Sequence, residues 1–389
     1  MVGSRSVRGT GQSVTGPAQT GHAVTGPATT GHAVTGHAVT GQAVTGHAPP
    51  PGAVRVAAID CGTNSLRLLI ADVDTVGGQL TDVDRRMEIV RLGQGVDATG
   101  MLAPEALTRT FRVLADYARA IADSGVSAVR MVATSATRDA SNASDFVQGV
   151  TRLLGIAPEV VSGDEEAQLS YSGATTELRR PDQRPGGPER AGTPKRTGGA
   201  ERGDRPDRGD GPQPPYLVVD IGGGSTEFVL GESQAVSVDI GCVRLTERHL
   251  HGDPPDAAQI EAATRDIDAA LSEVAARIPV TSARTLVGLA GSVTTVTGIA
   301  LSLPAYDAAR IHHARISAAR VHEVTLSLLG KTREQRSAIG VMHPGRVDVI
   351  GAGALVLDRI MICLGFGEVM ASEHDILDGI AWSIAAGAR

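Results

Sequence analysis

Aromatic side chains are scarce, at 2% of the chain. No stacking platform for single-stranded nucleic acid is therefore available, and any packed core must be aliphatic, built from Val, Leu, Ile and Ala. Cysteine is rarer still. Cys61, Cys242 and Cys363 are odd in number and show neither metal nor redox spacing, which excludes a disulfide scaffold, fits a reducing cytoplasm and makes all three small buried hydrophobes. A basic excess is also missing, the formal charge being −7. Only residues 1–52, with two arginines and no acid, and residues 179–215, with nine basic and six acidic side chains, lean basic. The remaining chain is more acidic than the total suggests, which repels DNA and argues against nucleic-acid binding. Long apolar runs are lacking too. Residues 285–306 carry no charge, yet Thr285, Ser292, Thr294, Thr295, Thr297 and Ser302 make a poor membrane span. The start of the chain, with Arg5 and Arg8 but no apolar segment, does not read as a secretory signal.

What is present is unevenly distributed. At 389 residues the chain exceeds one ordinary core, and its 48 glycines and 20 prolines are clustered. A Thr-Gly pair recurs every five residues from Thr10 to Thr45. That period matches no packed repeat, and its Gly, Thr and Ala bury too little apolar surface to offset chain entropy, so residues 1–52 read as a disordered arm. Its His22, His32, His37 and His47 offer only a loose metal site beside the plainer reading of a low-complexity tail. Residues 179–215 mix Arg, Asp, Gly and Pro without apolar periodicity and read as a flexible insertion. The remainder suffices for two α/β domains, 53–169 and 170–389, with the C-terminal helix free to pack back on the first.

Val54–Ile59 and Leu66–Val73 are expected strands, with a third at Glu88–Leu92. Pro104–Ala122 has helical spacing, Ala128–Ala133 reads as a strand, and Ala143–Leu154 as a helix capped by Ser141 or Asn142 and stopped by Gly155. Strands followed by alternating helix and strand indicate mixed α/β layers.

The chemistry lies in an internal echo. Ile59-Asp60-Cys61-Gly62-Thr63-Asn64-Ser65-Leu66-Arg67 and Val219-Asp220-Ile221-Gly222-Gly223-Gly224-Ser225-Thr226-Glu227 share one plan: Asp, Gly two later, Ser five later and a charged residue seven later. Both lie between strand-like runs, so both should be hairpins whose turns present backbone N–H groups and a Ser hydroxyl to phosphate. Duplication implies two phosphate loops facing one cleft. A loop spanning Gly222–Ser225 places Asp220 and Glu227 opposite each other on one sheet face, where with Asp60 they suit a hard cation such as Mg2+; a three-residue loop separates them. Arg67 occupies the matching position in the first hairpin.

Ser162-Gly163-Asp164-Glu165-Glu166-Ala167 opens a helix. A capping box between Ser162 and Glu165 would commit Glu165 to the backbone and leave Glu166 turned about 100° away, ionised by the helix dipole and available as a base for water. The plainer reading is a solvated first-turn glutamate. Gly291 and Ser292, where strand meets helix, form another anion-friendly turn, and Arg138 ends Thr134-Ser135-Ala136-Thr137-Arg138, placed for phosphate or for the surface. Gly330-Lys331-Thr332 lacks the P-loop spacing and marks a helix end. Glu373-His374-Asp375 invites a metal reading, but the spacing of Ile376, Leu377, Ile380 and Ile384 favours the cap of an amphipathic terminal helix.

These blocks, in this order, resemble the exopolyphosphatase and guanosine pentaphosphate phosphatase family of the actin-like ATPase superfamily, across 53–178 and 216–389. The resemblance implies two RNase-H-like α/β domains with an interdomain cleft, and it places Glu166 as catalytic base and Asp220 and Glu227 as magnesium-associated carboxylates. It puts Asn64, Ser65, Arg67, Arg138, Gly223, Gly224 and Ser225 on phosphate, to which the loops add Gly62, Thr63, Gly222, Thr226, Gly291 and Ser292. The chain resembles the short form, without the extra helical domains of the long exopolyphosphatases. The expectation is a cytoplasmic, Mg2+-dependent hydrolase of terminal phosphate from inorganic polyphosphate, with a homodimer as a family-level expectation. A (p)ppGpp-type nucleotide, linking the chain to the stringent response, is the alternative substrate. A sugar or carboxylate kinase of the same superfamily and a nucleotide-sensing module without turnover are the competing classes.

Overall fold

The computed structural model describes residues 48–178 and 211–387. The Thr-Gly repeats and most of the expected insertion, residues 179–210, lie outside the described residues. The chain begins with an antiparallel meander, β1 (Val54–Cys61), β2 (Ser65–Asp74) and β3 (Gln79–Ile89). It continues through α1 (Val96–Thr99), α2 (Pro104–Asp123), β4 (Ala128–Ala133), α3 (Ser135–Arg138), α4 (Ala143–Leu154), β5 (Glu159–Val160) and α5 (Gly163–Thr175). The strands form one sheet in the order β3-β2-β1-β4-β5, with β4 and β5 parallel to β1.

The plan then repeats. A second meander, β6 (Tyr216–Ile221), β7 (Thr226–Leu230) and β8 (Gln234–Val238), is followed by α6 (Cys242–His249), α7 (Ala257–Arg277), β9 (Thr285–Leu289), α8 (Ala290–Ala300), α9 (Ala308–Ile311) and β10 (Arg315–Ser317). The chain closes with α10 (Ala318–Leu329), α11 (Arg333–Ser337), α12 (Ile350–Leu364), β11 (Glu368–Ala371) and α13 (Ile376–Gly387). This sheet runs β10-β11-β9-β6-β7-β8. Two α/β sheets, each begun by a hairpin of the echoed sequence, are the architecture the sequence led us to expect.

The third strand begins nine residues before the expected Glu88. Among the described residues β3 pairs only with β2, and none of its side chains is fully buried, so Asp82, Asp84, Arg85 and Arg86 of this edge hide the alternation from an apolar reading. Asn142 does precede α4, but its side chain caps nothing there. Its Oδ1 accepts from Leu102 N at 2.8 Å instead. Gly155 ends α4 with φ of 73°, which only glycine adopts at no cost.

The cores are aliphatic. Ile59, Leu68 and Ile70 pack on Leu114, Tyr117 and Phe146 on one face of the first sheet, and Val219, Ile221 and Phe228 meet Ile267, Val293 and Val356 in the second. Between the sheets lie α13, set against Val56, Ala58 and Leu69 of the first, and α5, whose Ala167, Tyr171 and Ala174 cover Val218 and Val229 of the second. These helices touch backbone to backbone: a Cβ at Gly173 would strike the Asp375 carbonyl, and one at Gly379 the Leu169 carbonyl. The expected division at residue 169 runs through α5. Among the described residues no helix is long and apolar enough to cross a membrane.

Candidate active site

The hairpins close alike. Gly62 N donates to Ser65 O at 3.0 Å and Gly222 N to Ser225 O at 3.1 Å. Cross-strand register places Asp60 opposite Arg67 and Asp220 opposite Glu227, the arrangement a Gly222–Ser225 loop requires. The turns meet: a Cβ on Gly223 would lie 2.8 Å from Thr63 Cβ, and one on Gly224 2.8 Å from Thr63 Oγ1. Glycine is needed here for close approach of one turn to the other. The start of α6 braces the second turn, since Cys242 N donates to Gly222 O at 3.0 Å and Val243 N to Gly223 O at 2.8 Å.

A cleft opens between the sheets. Gly62, Thr63, Asn64, Ser65, Arg67, Gly222, Gly223, Ser225, Gly291 and Ser292 line it, together with Asp60, Asp220 and Glu166. Glu227 is buried beside them, its Oε1 accepting from Ser237 Oγ at 2.8 Å. Ser170, one turn along α5 from Glu166, donates to Asp220 Oδ2 at 2.7 Å. Arg67 gives two bonds to Asp60 Oδ2, at 2.9 and 2.7 Å, and pairs with Asp375 through Nη1, so its charge serves these acids first. Arg138 Nη1 donates to Glu166 Oε2 at 3.2 Å and to Val161 O at 3.0 Å.

Negative charge is therefore concentrated and under-compensated. Burial, with the neighbouring Asp375 charge, pushes the Asp220 carboxyl up to about 6, and burial with Asp220 pushes Glu227 up to about 8. Glu166 is driven well above the usual carboxylate range by burial and by Glu227, against the pull of Arg138. Asp60 is raised mainly by burial, and its Oδ1 is buried with no hydrogen-bond partner. An orphaned carboxylate oxygen among hard oxygen donors that repel one another fits a divalent cation.

Several expectations need correction. Thr226 does not face the cleft: it is fully buried and donates from Oγ1 to Ile240 O at 3.0 Å, because adjacent strand residues point to opposite faces and Glu227 takes the inner one. Gly224 lies beside Ser135 in a smaller adjoining hollow, and Arg138 reaches the cleft only through Glu166. Half of the capping box forms: Ser162 accepts from Glu165 N at 3.2 Å, but the Glu165 carboxylate pairs with Arg130 at 2.9 Å. Glu166 is buried rather than solvated, and burial outweighs the helix dipole and favours its protonated form. Cys363 is exposed, whereas Cys61 and Cys242 are buried.

Sequence reasoning missed Arg346. It enters the cleft from a 3-10 turn at Pro344–Arg346, its guanidinium filling the space a Cβ on Gly291 would need. Among the described residues it forms no salt bridge, and its one side-chain hydrogen bond runs to Thr295 Oγ1 at 3.5 Å. Ala290, also missed, adopts φ of 65° where β9 enters α8. Such a conformation is strained for a residue with a Cβ, and it carries the chain from strand to helix where Gly291 and Ser292 border the cleft.

Residues 69–185 and 211–386 match the Ppx/GppA phosphatase family. Exopolyphosphatase 2 of Mycobacterium tuberculosis is 48% identical over 345 residues, spanning 85% of this chain and 98% of that protein. Among solved structures, an exopolyphosphatase-like protein superposes with a TM-score of 0.76 at 37% identity, covering 87% of this chain and 99% of the other. The Aquifex aeolicus member of the Ppx/GppA family gives 0.68 at 27% identity, with 87% and 99% covered. Matching most of this length in sequence and in fold, the chain belongs to the Ppx/GppA phosphatase family.

Proposed function

We propose that this protein is an exopolyphosphatase, a Mg2+-dependent hydrolase that removes the terminal phosphate of inorganic polyphosphate. The observation that carries this reading is the pair of hairpin turns in contact across one cleft, bordered by Glu166, Asp60 and Asp220, with Glu227 beside them. Turn N–H groups at Thr63–Ser65 and Gly223–Ser225 and the start of α8 offer donors to phosphate oxygens, and Arg346, which lines the same cleft, adds a cation. Asp60, Asp220 and Glu227 would hold Mg2+, which when bound neutralises charge on the phosphates and between these carboxylates. With that repulsion relieved, ionised Glu166, held by Arg138, accepts a proton from water as the water oxygen bonds to the terminal phosphorus. The P–O bond to the penultimate phosphate breaks, and the products are orthophosphate and a chain one unit shorter. The identity of the M. tuberculosis relative, named an exopolyphosphatase, supports the substrate.

The test is phosphate release with Mg2+ from polyphosphate, guanosine pentaphosphate and ATP. The expected result is highest kcat/KM on polyphosphate. Preference for guanosine pentaphosphate would replace the substrate, and no release from any of the three would favour a sensor.

A further inference from the structure

A second cluster of ligand-bearing side chains lies outside the cleft. Glu177 follows α5, His312 follows α9, and His374 precedes α13; one ligand atom from each lies within 4.8 Å of the others. Glu177 Oε2 is 3.2 Å from His312 Nε2, and its Oε1 is 3.3 Å from His374 Nε2. The Glu373-His374-Asp375 run, which reads from sequence as a helix cap, thus supplies one imidazole to a group drawn from three separate elements. Asp375 does cap, accepting from Leu377 N at 3.0 Å, but His374 does something else.

Each ring is held from behind. His374 Nδ1 lies 2.9 Å from Asp378 Oδ1, and buried Asp378 is itself fixed by Arg85 Nη2 at 2.6 Å. That carboxylate accepts from Nδ1–H and turns Nε2 toward Glu177, the arrangement by which a second carboxylate orients a metal-bound imidazole. His312 is stacked on His313 with ring centroids 3.7 Å apart, and its Nδ1 accepts from Glu373 N at 3.1 Å. Its ring proton therefore sits on Nε2, facing Glu177. Coordination through that nitrogen needs the other tautomer, so the Glu373 contact must open as a cation enters. Asp378 and Glu177 carboxylates face the two ring nitrogens of His374 and favour its protonated form, so its Nε2 proton must leave as a cation enters, and His312 must change tautomer.

We propose that Glu177, His312 and His374 bind a Zn2+-class divalent cation, separate from the Mg2+ expected among the cleft carboxylates. Two imidazoles and one carboxylate suit Zn2+ and its first-row neighbours, whereas Mg2+ prefers oxygen alone. Three protein ligands leave further positions for water. A cation here would tie the end of α5, whose first turn bears Glu166, to the segment leading into α13, so its effect on the fold is stabilising.

The test is a Co2+ titration of the full chain in excess Mg2+, followed by the visible absorption of nitrogen-coordinated Co2+, with Zn2+ competition and thermal unfolding alongside. A saturable site that Zn2+ displaces and that raises Tm is expected in the wild type. It should persist when His22, His32, His37 and His47 are replaced by Gln, weaken by about tenfold or more in Glu177→Gln, and vanish in His312→Gln/His374→Gln. Glu177 is exposed, so its variant keeps the proposal testable if the double variant fails to fold. Absence of the site in the wild type, loss with the arm histidines alone, or full retention in Glu177→Gln would overturn the proposal. None of these results depends on whether the cleft hydrolyses polyphosphate.

Discussion

Thr226 and Glu227 are neighbours in sequence and serve opposite faces of one strand, a distinction that follows from the two-residue period of a strand alone. Once Asp220 and Glu227 are assigned inward, Thr226 must point to the core. Thr226→Val should therefore leave kcat within about twofold while costing about 1–3 kcal/mol, because the Ile240 carbonyl loses its donor; steady-state kinetics and denaturant unfolding check the two parts. Arg346 was not legible: it belongs to no repeated motif and comes from a short turn far along the chain from either hairpin. Arg346→Ala should raise KM for polyphosphate about 10- to 100-fold, the loss of charge-assisted hydrogen bonds to phosphate, with a smaller change in kcat. An unchanged KM would remove Arg346 from the substrate path.

At the scale of elements, the hairpins were legible because turn, glycine and strand are local in sequence and each is written twice. The contact of α5 with α13 was not, since the glycines that permit it, Gly173 and Gly379, are far apart in sequence and neither marks a turn. The same reasoning separates glycine substitutions by what surrounds them. Gly379→Ala would push a Cβ into the Leu169 carbonyl and should cost about 1–3 kcal/mol, as overpacking does. Any shift it imposes on α5 also moves Glu166, so activity should fall with stability. At Gly155 an added Cβ meets nothing within 4 Å, so Gly155→Ala should cost only the left-handed conformation, roughly 1–2 kcal/mol, and spare activity. Thermal melts and initial rates on both variants decide this.

Over the whole molecule, the acidic balance seen in composition reappears as a cleft whose carboxylates are raised together. Below about pH 4 the folded and unfolded chains both hold these protons. As pH rises the unfolded chain releases them first, whereas folded Asp220 and Glu227 keep theirs to about 6 and about 8. Without metal, stability should therefore fall as pH rises through this window. Mg2+, if held by the ionised acids as proposed, should raise Tm more at pH 8 than at pH 5, measured against EDTA; an equal effect at both pH values would contradict the assignment of Asp220 and Glu227 to the cation. The most direct measurement on the central claim is kcat for phosphate release from polyphosphate by Glu166→Gln at saturating Mg2+ and substrate. Loss of the base predicts a fall of about 10²- to 10⁴-fold with KM little changed, and a rate close to wild type would contradict Glu166 as the group that takes the proton from water.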